Sequence, residues 1–134
     1  MTEVDAPEEI VSAIRRQNDL FEENFAGGDA SRLVQEYYVP DHLKPLASTG
    51  EGQAIVGRAG LTALFEALMG QFAKARQVSH FIRSDRDLAY EVSNSYLTPR
   101  AGGDEVEFRY IATWRRCDDK WRVEADFFAA GPLG

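Results

Sequence analysis

Five side chains in the second half of the chain have the chemistry to hold or react with a small molecule: His80, Tyr90, Asn94, Tyr96 and Tyr110. An imidazole near neutral pH can move a proton. A phenol can donate to an oxygen on which charge develops, and a carboxamide can orient a ligand by donating and accepting together. Tyr90, Asn94 and Tyr96 fall on one parity with Val92, so on a strand they share a face. His80 shares parity with Val78 and Ile82, the more apolar side of its segment.

Positioning these groups requires strands, and the last third of the chain reads as three of them. From Val106 to Arg116, Val106, Phe108, Tyr110, Ala112 and Trp114 alternate with Glu107, Arg109, Ile111, Thr113 and Arg115. The next strand alternates Trp121, Val123, Ala125 and Phe127 with Arg122, Glu124, Asp126 and Phe128. A turn centred on Asp118 and Asp119 sets Trp114 opposite Val123, Ala112 opposite Ala125 and Tyr110 opposite Phe127, an apolar ladder. With that ladder facing inward, Tyr110, Trp114 and Phe127 line a pocket together with Tyr90, Asn94 and Tyr96. Such an aromatic, hydroxyl-rich wall suits a small apolar or aromatic ligand. The opposite face becomes a charge lattice, with Arg109 diagonal to Asp126 and Arg115 diagonal to Glu124.

The N-terminal half has helical periodicity. Asp5 and Glu8 form an Asp version of a capping box with Pro7 in the first turn, and Ile10, Ile14, Phe21 and Phe25 recur at helical spacing until Gly27-Gly28. Asp29 caps a short helix with Leu33, Val34 and Tyr37 inward, which Pro40 ends; of adjacent Tyr37 and Tyr38 a helix buries only one. Leu43–Ser48 and Gln53–Val56 read as a small hairpin around Thr49-Gly50-Glu51-Gly52. Leu61, Leu64, Phe65, Leu68, Met69 and Phe72 mark a third helix. Strands at about Arg76–Arg83 and Leu88–Thr98 precede the closing hairpin. The whole, 1–134, is one α+β domain, in which three N-terminal helical segments cover one face of a mainly antiparallel sheet.

Composition excludes several classes. The net charge of -7 opposes nucleic-acid binding. No apolar run approaches the roughly 20 residues of a membrane span, and the acidic start has no signal-peptide pattern, so a cytoplasmic location is expected. Cys117, the only cysteine, has no disulfide or zinc partner and reads as a bystander; His42 follows Pro40-Asp41, where the chain leaves the second helix, with a place at the cavity rim as the alternative to no role in the site. No phosphate loop or metal-ligand spacing occurs, so no cofactor and no metal are expected.

The order of elements resembles the nuclear transport factor 2-like (cystatin-like) superfamily. So do the stretches Phe25-Ala26-Gly27-Gly28-Asp29, Ile55-Val56-Gly57-Arg58-Ala59-Gly60-Leu61 and Trp121-Arg122-Val123-Glu124-Ala125-Asp126-Phe127. Narrowly, the chain resembles small bacterial polyketide-cyclase-like and ketosteroid-isomerase-like proteins, from about Ile10 to Pro132. That resemblance implies a cone-shaped fold with a curved sheet around a deep cavity, and a homodimer through the outer sheet face. It also permits a residue test. The isomerases' tyrosine, general base and protonated aspartate fall here on Phe21, on Pro45 or Leu46, and on Tyr110. A cavity without a carboxylate is therefore expected, and steroid-isomerase chemistry is rejected. The preferred reading is a small-molecule-binding domain. One alternative is a cyclase- or isomerase-type enzyme with His80 as base and Tyr110 stabilising an enolate; another is a dimerisation module without catalysis.

Overall fold

The computed structural model describes residues 5–49 and 54–131, and Gly50-Glu51-Gly52 of the expected hairpin loop, with Gln53, lies outside them. Helix α1, Glu8–Ala26, buries Ile14, Asn18, Phe21 and Phe25 along one stripe. Its N-cap is Pro7 and has no side-chain cap; Asp5 instead pairs with Arg83 at 3.6 Å, so the capping box does not form. Helix α2, Ala30–Tyr37, is capped as expected, with the Asp29 carboxylate accepting from Arg32 N at 3.0 Å. Tyr38 leaves the helix in an extended conformation, φ -103 and ψ 150. The helical rule that only one of two adjacent side chains faces the core no longer applies there, and Tyr37 and Tyr38 are both buried. Helix α3, Arg58–Gln71, starts after Gly57, whose φ of 90 and ψ of 156 only glycine adopts readily.

Six strands form one sheet in the order β2-β1-β6-β5-β4-β3. They are β1 Leu46–Ser48, β2 Ile55–Val56, β3 Phe72–Asp85, β4 Leu88–Pro99, β5 Val106–Cys117 and β6 Lys120–Ala130. Every pairing is antiparallel except that of β1 with β6. The β5–β6 turn is the expected two-residue one, since Asp118 and Asp119 both take positive φ, 51 and 64, and Cys117 faces Lys120.

Two register shifts decide which residues meet the helices. In β3 the shift falls between Ser79 and Phe81, leaving His80 as the extra residue; in β5–β6 it falls between Thr113 and Trp114, leaving Glu124 as the extra residue on β6. Each bulge exchanges the two faces for the rest of its strand. Before the β6 bulge Trp114 opposes Val123, as the alternation requires. After it Ala112 opposes Asp126 and Tyr110 opposes Phe128, so the expected pairs with Ala125 and Phe127 do not form.

Candidate functional site

The β6 bulge turns Asp126 and Phe128 toward the helices and leaves Phe127 outside, 51% exposed. Asp126 was expected in the outer lattice diagonal to Arg109; it instead lines a cavity of about 100 Å³. The expectation of a cavity without a carboxylate is overturned. Arg115 does pair with Glu124, at 2.9 Å, on the outer side.

The cavity lies between the helices and the inner sheet face. Phe21 and Phe25 of α1, Leu64, Phe65 and Leu68 of α3, Leu97, Phe108 and Phe128 supply its apolar lining. Its polar members are Tyr38, Gln77, Ser95, Tyr110 and Asp126. Of these, Phe21, Phe25, Tyr38 and Tyr110 are buried, whereas Leu64, Leu68, Phe108 and Phe128 are half-buried, as are Gln77, Ser95 and Asp126.

Polar groups converge on this space with hydrogen-bonding capacity to spare. The Tyr38 hydroxyl donates to Asp126 Oδ2 at 3.2 Å. Asp126 Oδ1, the Tyr110 hydroxyl and Gln77 Oε1 are all buried and make no hydrogen bond of adequate geometry among the described residues. Burial pushes the Asp126 carboxyl from 3.8 up to about 7, against the pull of the Tyr38 hydrogen bond. Burial likewise raises the phenols of Tyr37, Tyr38 and Tyr110 well above their usual range, so all three hold their protons at neutral pH. An acid poised near neutrality beside two phenol donors and an apolar wall can give or take a proton and steady an oxygen that gains charge.

Deeper on the same inner face lies Glu91, fully buried. It accepts from Asn18 Nδ2 at 2.8 Å and from Trp114 Nε1 at 3.2 Å, and Asn18 Oδ1 accepts from the Tyr37 hydroxyl at 3.0 Å.

The residues singled out from sequence divide between the two faces. Tyr110 and Trp114 face inward as expected: Tyr110 lines the cavity, and fully buried Trp114 packs against Tyr37. Tyr90, Asn94 and Tyr96 face outward, because β4 pairs Ser93, not Asn94, with Tyr110 and pairs Tyr90 with Thr113. Their parity was correctly grouped and assigned to the wrong side. His80 is likewise outside, since the bulge separates it from the inward Ile82; its Nε2 meets Asn94 Oδ1, while Asn94 Nδ2 and the Tyr96 hydroxyl donate to Glu107 at 3.1 and 2.9 Å. His80 and Tyr110 therefore lie on opposite faces and cannot act together on one substrate. Asp126 and Glu91 are the residues that sequence reasoning missed. The one available signal for Glu91 was its parity with Ser93 and Leu97, and none marked Asp126, whose inward turn depends on the bulge.

His42 lies in an exposed 3-10 turn, Asp41–Leu43, and Cys117 is a free thiol at the end of β5. Among the described residues no three His, Cys, Asp or Glu side chains are grouped to hold a metal, and no helix is long and apolar enough to cross a membrane.

Solved structures share this architecture. The chain is similar to a ketosteroid isomerase-like protein from Erwinia carotovora atroseptica SCRI1043, with 13% identity and a TM-score of 0.74 over 95% of this chain and 100% of that one. It is similar to a provisionally named dehydratase of the NTF2-like family from Streptomyces avermitilis, with 14% identity and a TM-score of 0.77 over 96% and 100%. A provisionally named scytalone dehydratase from Novosphingobium aromaticivorans DSM 12444 gives 15% identity and a TM-score of 0.70 over 91% and 84%. At these identities the likeness shows the fold alone. No functionally curated protein matches the chain. The SnoaL-like domain family matches residues 18–124, from within α1 to the part of β6 before Asp126, and the chain belongs to that family.

Proposed function

We propose that this protein binds a small, largely apolar ring compound between α3 and the sheet and transfers a proton on it, with Asp126 as general acid–base. The observation that carries this reading is the buried, unpartnered Oδ1 of Asp126 at an apolar cavity, on a carboxyl held near neutrality. In its ionised form Asp126 removes a proton from carbon beside a carbonyl or an equivalent acceptor. The Tyr110 hydroxyl, which has no hydrogen bond of adequate geometry among the described residues, donates to the oxygen that gains charge. Tyr38 holds Asp126 in place through Oδ2. The fold's similarity to structures named as dehydratases and as isomerase-like agrees with proton-transfer chemistry of this class.

The test uses 5-nitrobenzisoxazole, whose ring opens to a coloured cyanophenolate when a base removes its carbon-bound proton. The expected rate rises with pH through about 7, and Asp126→Asn lowers it by about 100-fold or more. An equal rate in both proteins overturns the assignment.

A second copy is the partner we infer for the outer sheet face. Phe81, Val92, Ile111 and Phe127 form one row across four strands, and Phe81, Ile111 and Phe127 are 40%, 47% and 51% exposed. An apolar row of this extent is favoured at an interface over water. Tyr90 and Tyr96 belong to that face and act there as contact residues rather than as cavity ligands, and Asn94, itself buried, ties His80 to Glu107 beneath it.

A further inference from the structure

Glu91 and Asp126 occupy one row of the inner face. Ala112 of β5 is the cross-strand partner of both, Glu91 on β4 and Asp126 on β6, which places the two backbones about 10 Å apart. Ala112 is fully buried and its methyl group is the smallest side chain that could separate them.

Their surroundings differ in kind. Burial raises the Glu91 carboxyl above its ordinary range, and two groups that can only donate, the Asn18 amide nitrogen and the Trp114 indole, oppose burial by favouring the charged form. Asp126 receives one donor, Tyr38, and keeps Oδ1 bare toward the cavity. Donors stabilise the ionised carboxylate, whereas burial without donors favours the acid. The adjacent tyrosines at the end of α2 serve one carboxylate each. Tyr38 reaches Asp126 directly, and Tyr37 reaches Glu91 through Asn18. Two carboxyl groups in environments that separate their affinities for a proton divide the roles of acid and charge between them.

We propose that Glu91 is a positioning residue for Asp126: as a sequestered carboxylate bound by two donors across Ala112, it retains the proton on Asp126 and so sets the pH at which Asp126 becomes a base. The proposal rests on the acid–base reading of Asp126 given above. The groups that face this pair are few. From α1 come Asn18 and the Glu22 carboxylate, the latter held by Gln77 N at 2.8 Å. From α2 and its end come Tyr37 and Tyr38, from β3 Ser79, and from β5 Tyr110 and Trp114; α3 presents the apolar Leu64, Phe65 and Leu68. Neither carboxylate takes part in an ion pair among the described residues. The charge of Glu91 raises the affinity of Asp126 for its proton in addition to burial.

Carboxyl carbon-13 titration by NMR tests this without any substrate. In the unmodified protein the Glu91 carboxyl is expected to ionise at lower pH than that of Asp126; the reverse order overturns the proposal. Glu91→Gln is expected to lower the Asp126 midpoint by about one pH unit, and Glu91→Asp, which retains the charge, to leave it near the unmodified value. Glu91→Met fills similar volume without charge and is read the same way where the glutamine variant does not fold. A lower melting temperature with an unmoved Asp126 midpoint in either neutral variant assigns Glu91 a merely structural role and overturns the proposal. The two readings fail separately. Undiminished 5-nitrobenzisoxazole turnover in Asp126→Asn removes the catalytic reading of Asp126, while an unmoved midpoint removes the role of Glu91 alone.

Discussion

At pH 8 the Asp126 carboxyl must give up its proton inside the fold, where burial holds it up to about 7 against an ordinary 3.8. The folded chain then binds more protons than the unfolded chain between those two values, so stability is fully present below about pH 4 and falls as pH rises through about 7. At roughly 1.4 kcal/mol for each tenfold change, the loss approaches about 4 kcal/mol above pH 7. Asp126→Asn removes the titration and keeps an acceptor for Tyr38. Urea denaturation is expected to show this variant more stable than the unmodified protein at pH 8, by up to about 4 kcal/mol, and close to it at pH 4. Equal stability differences at both pH values would show that the carboxyl does not titrate near neutrality. A residue that costs stability where it is ionised is the usual mark of a functional group rather than a packing one.

The elements themselves were legible in the sequence. Helical spacing located α1, α2 and α3, Asp29 named its own cap, and Asp118-Asp119 fixed the closing turn. The faces were not legible throughout. Alternation identifies which residues share a side, but an extra residue at His80 or Glu124 exchanges the sides partway along a strand. Phe127 is apolar and Asp126 charged, so residue type argued for the arrangement that the bulge reverses. Tyr90, Asn94 and Tyr96 were misplaced for a related reason: β4 buries Glu91, Ser93 and Leu97 beneath the helices and shows its tyrosines outside. Removing Glu124 would take out the bulge and leave Ala125 opposite Thr113, Asp126 opposite Ala112 and Phe127 opposite Ile111 in a strictly alternating strand, with Asp126 still inward. Such a deletion is expected to keep the protein folded, at a cost of about 1–3 kcal/mol read from its urea midpoint, and to keep the Asp126 titration in place. A folded deletion variant that has lost that titration would mean that β6 had slipped by one residue.

For the molecule as a whole, the two sides of one sheet have separate uses. The inner side and the helices enclose the cavity, and the outer side presents the row Phe81, Val92, Ile111 and Phe127. If a second copy covers that row, Ile111→Arg and Phe127→Asp should each weaken association by about tenfold or more, measured by sedimentation across a dilution series. A monomer at all concentrations in the unmodified protein would reject the interface. The cavity faces the other way, so loss of association is expected to leave the Asp126 titration in place.

The extra residue at Glu124 also bears on how such proteins diverge. A last strand one residue shorter at this point presents the same side chains to the cavity without a bulge. Relatives can therefore differ in length here and keep the same cavity wall, and an alignment that omits a single gap there would pair Asp126 with a solvent-facing neighbour.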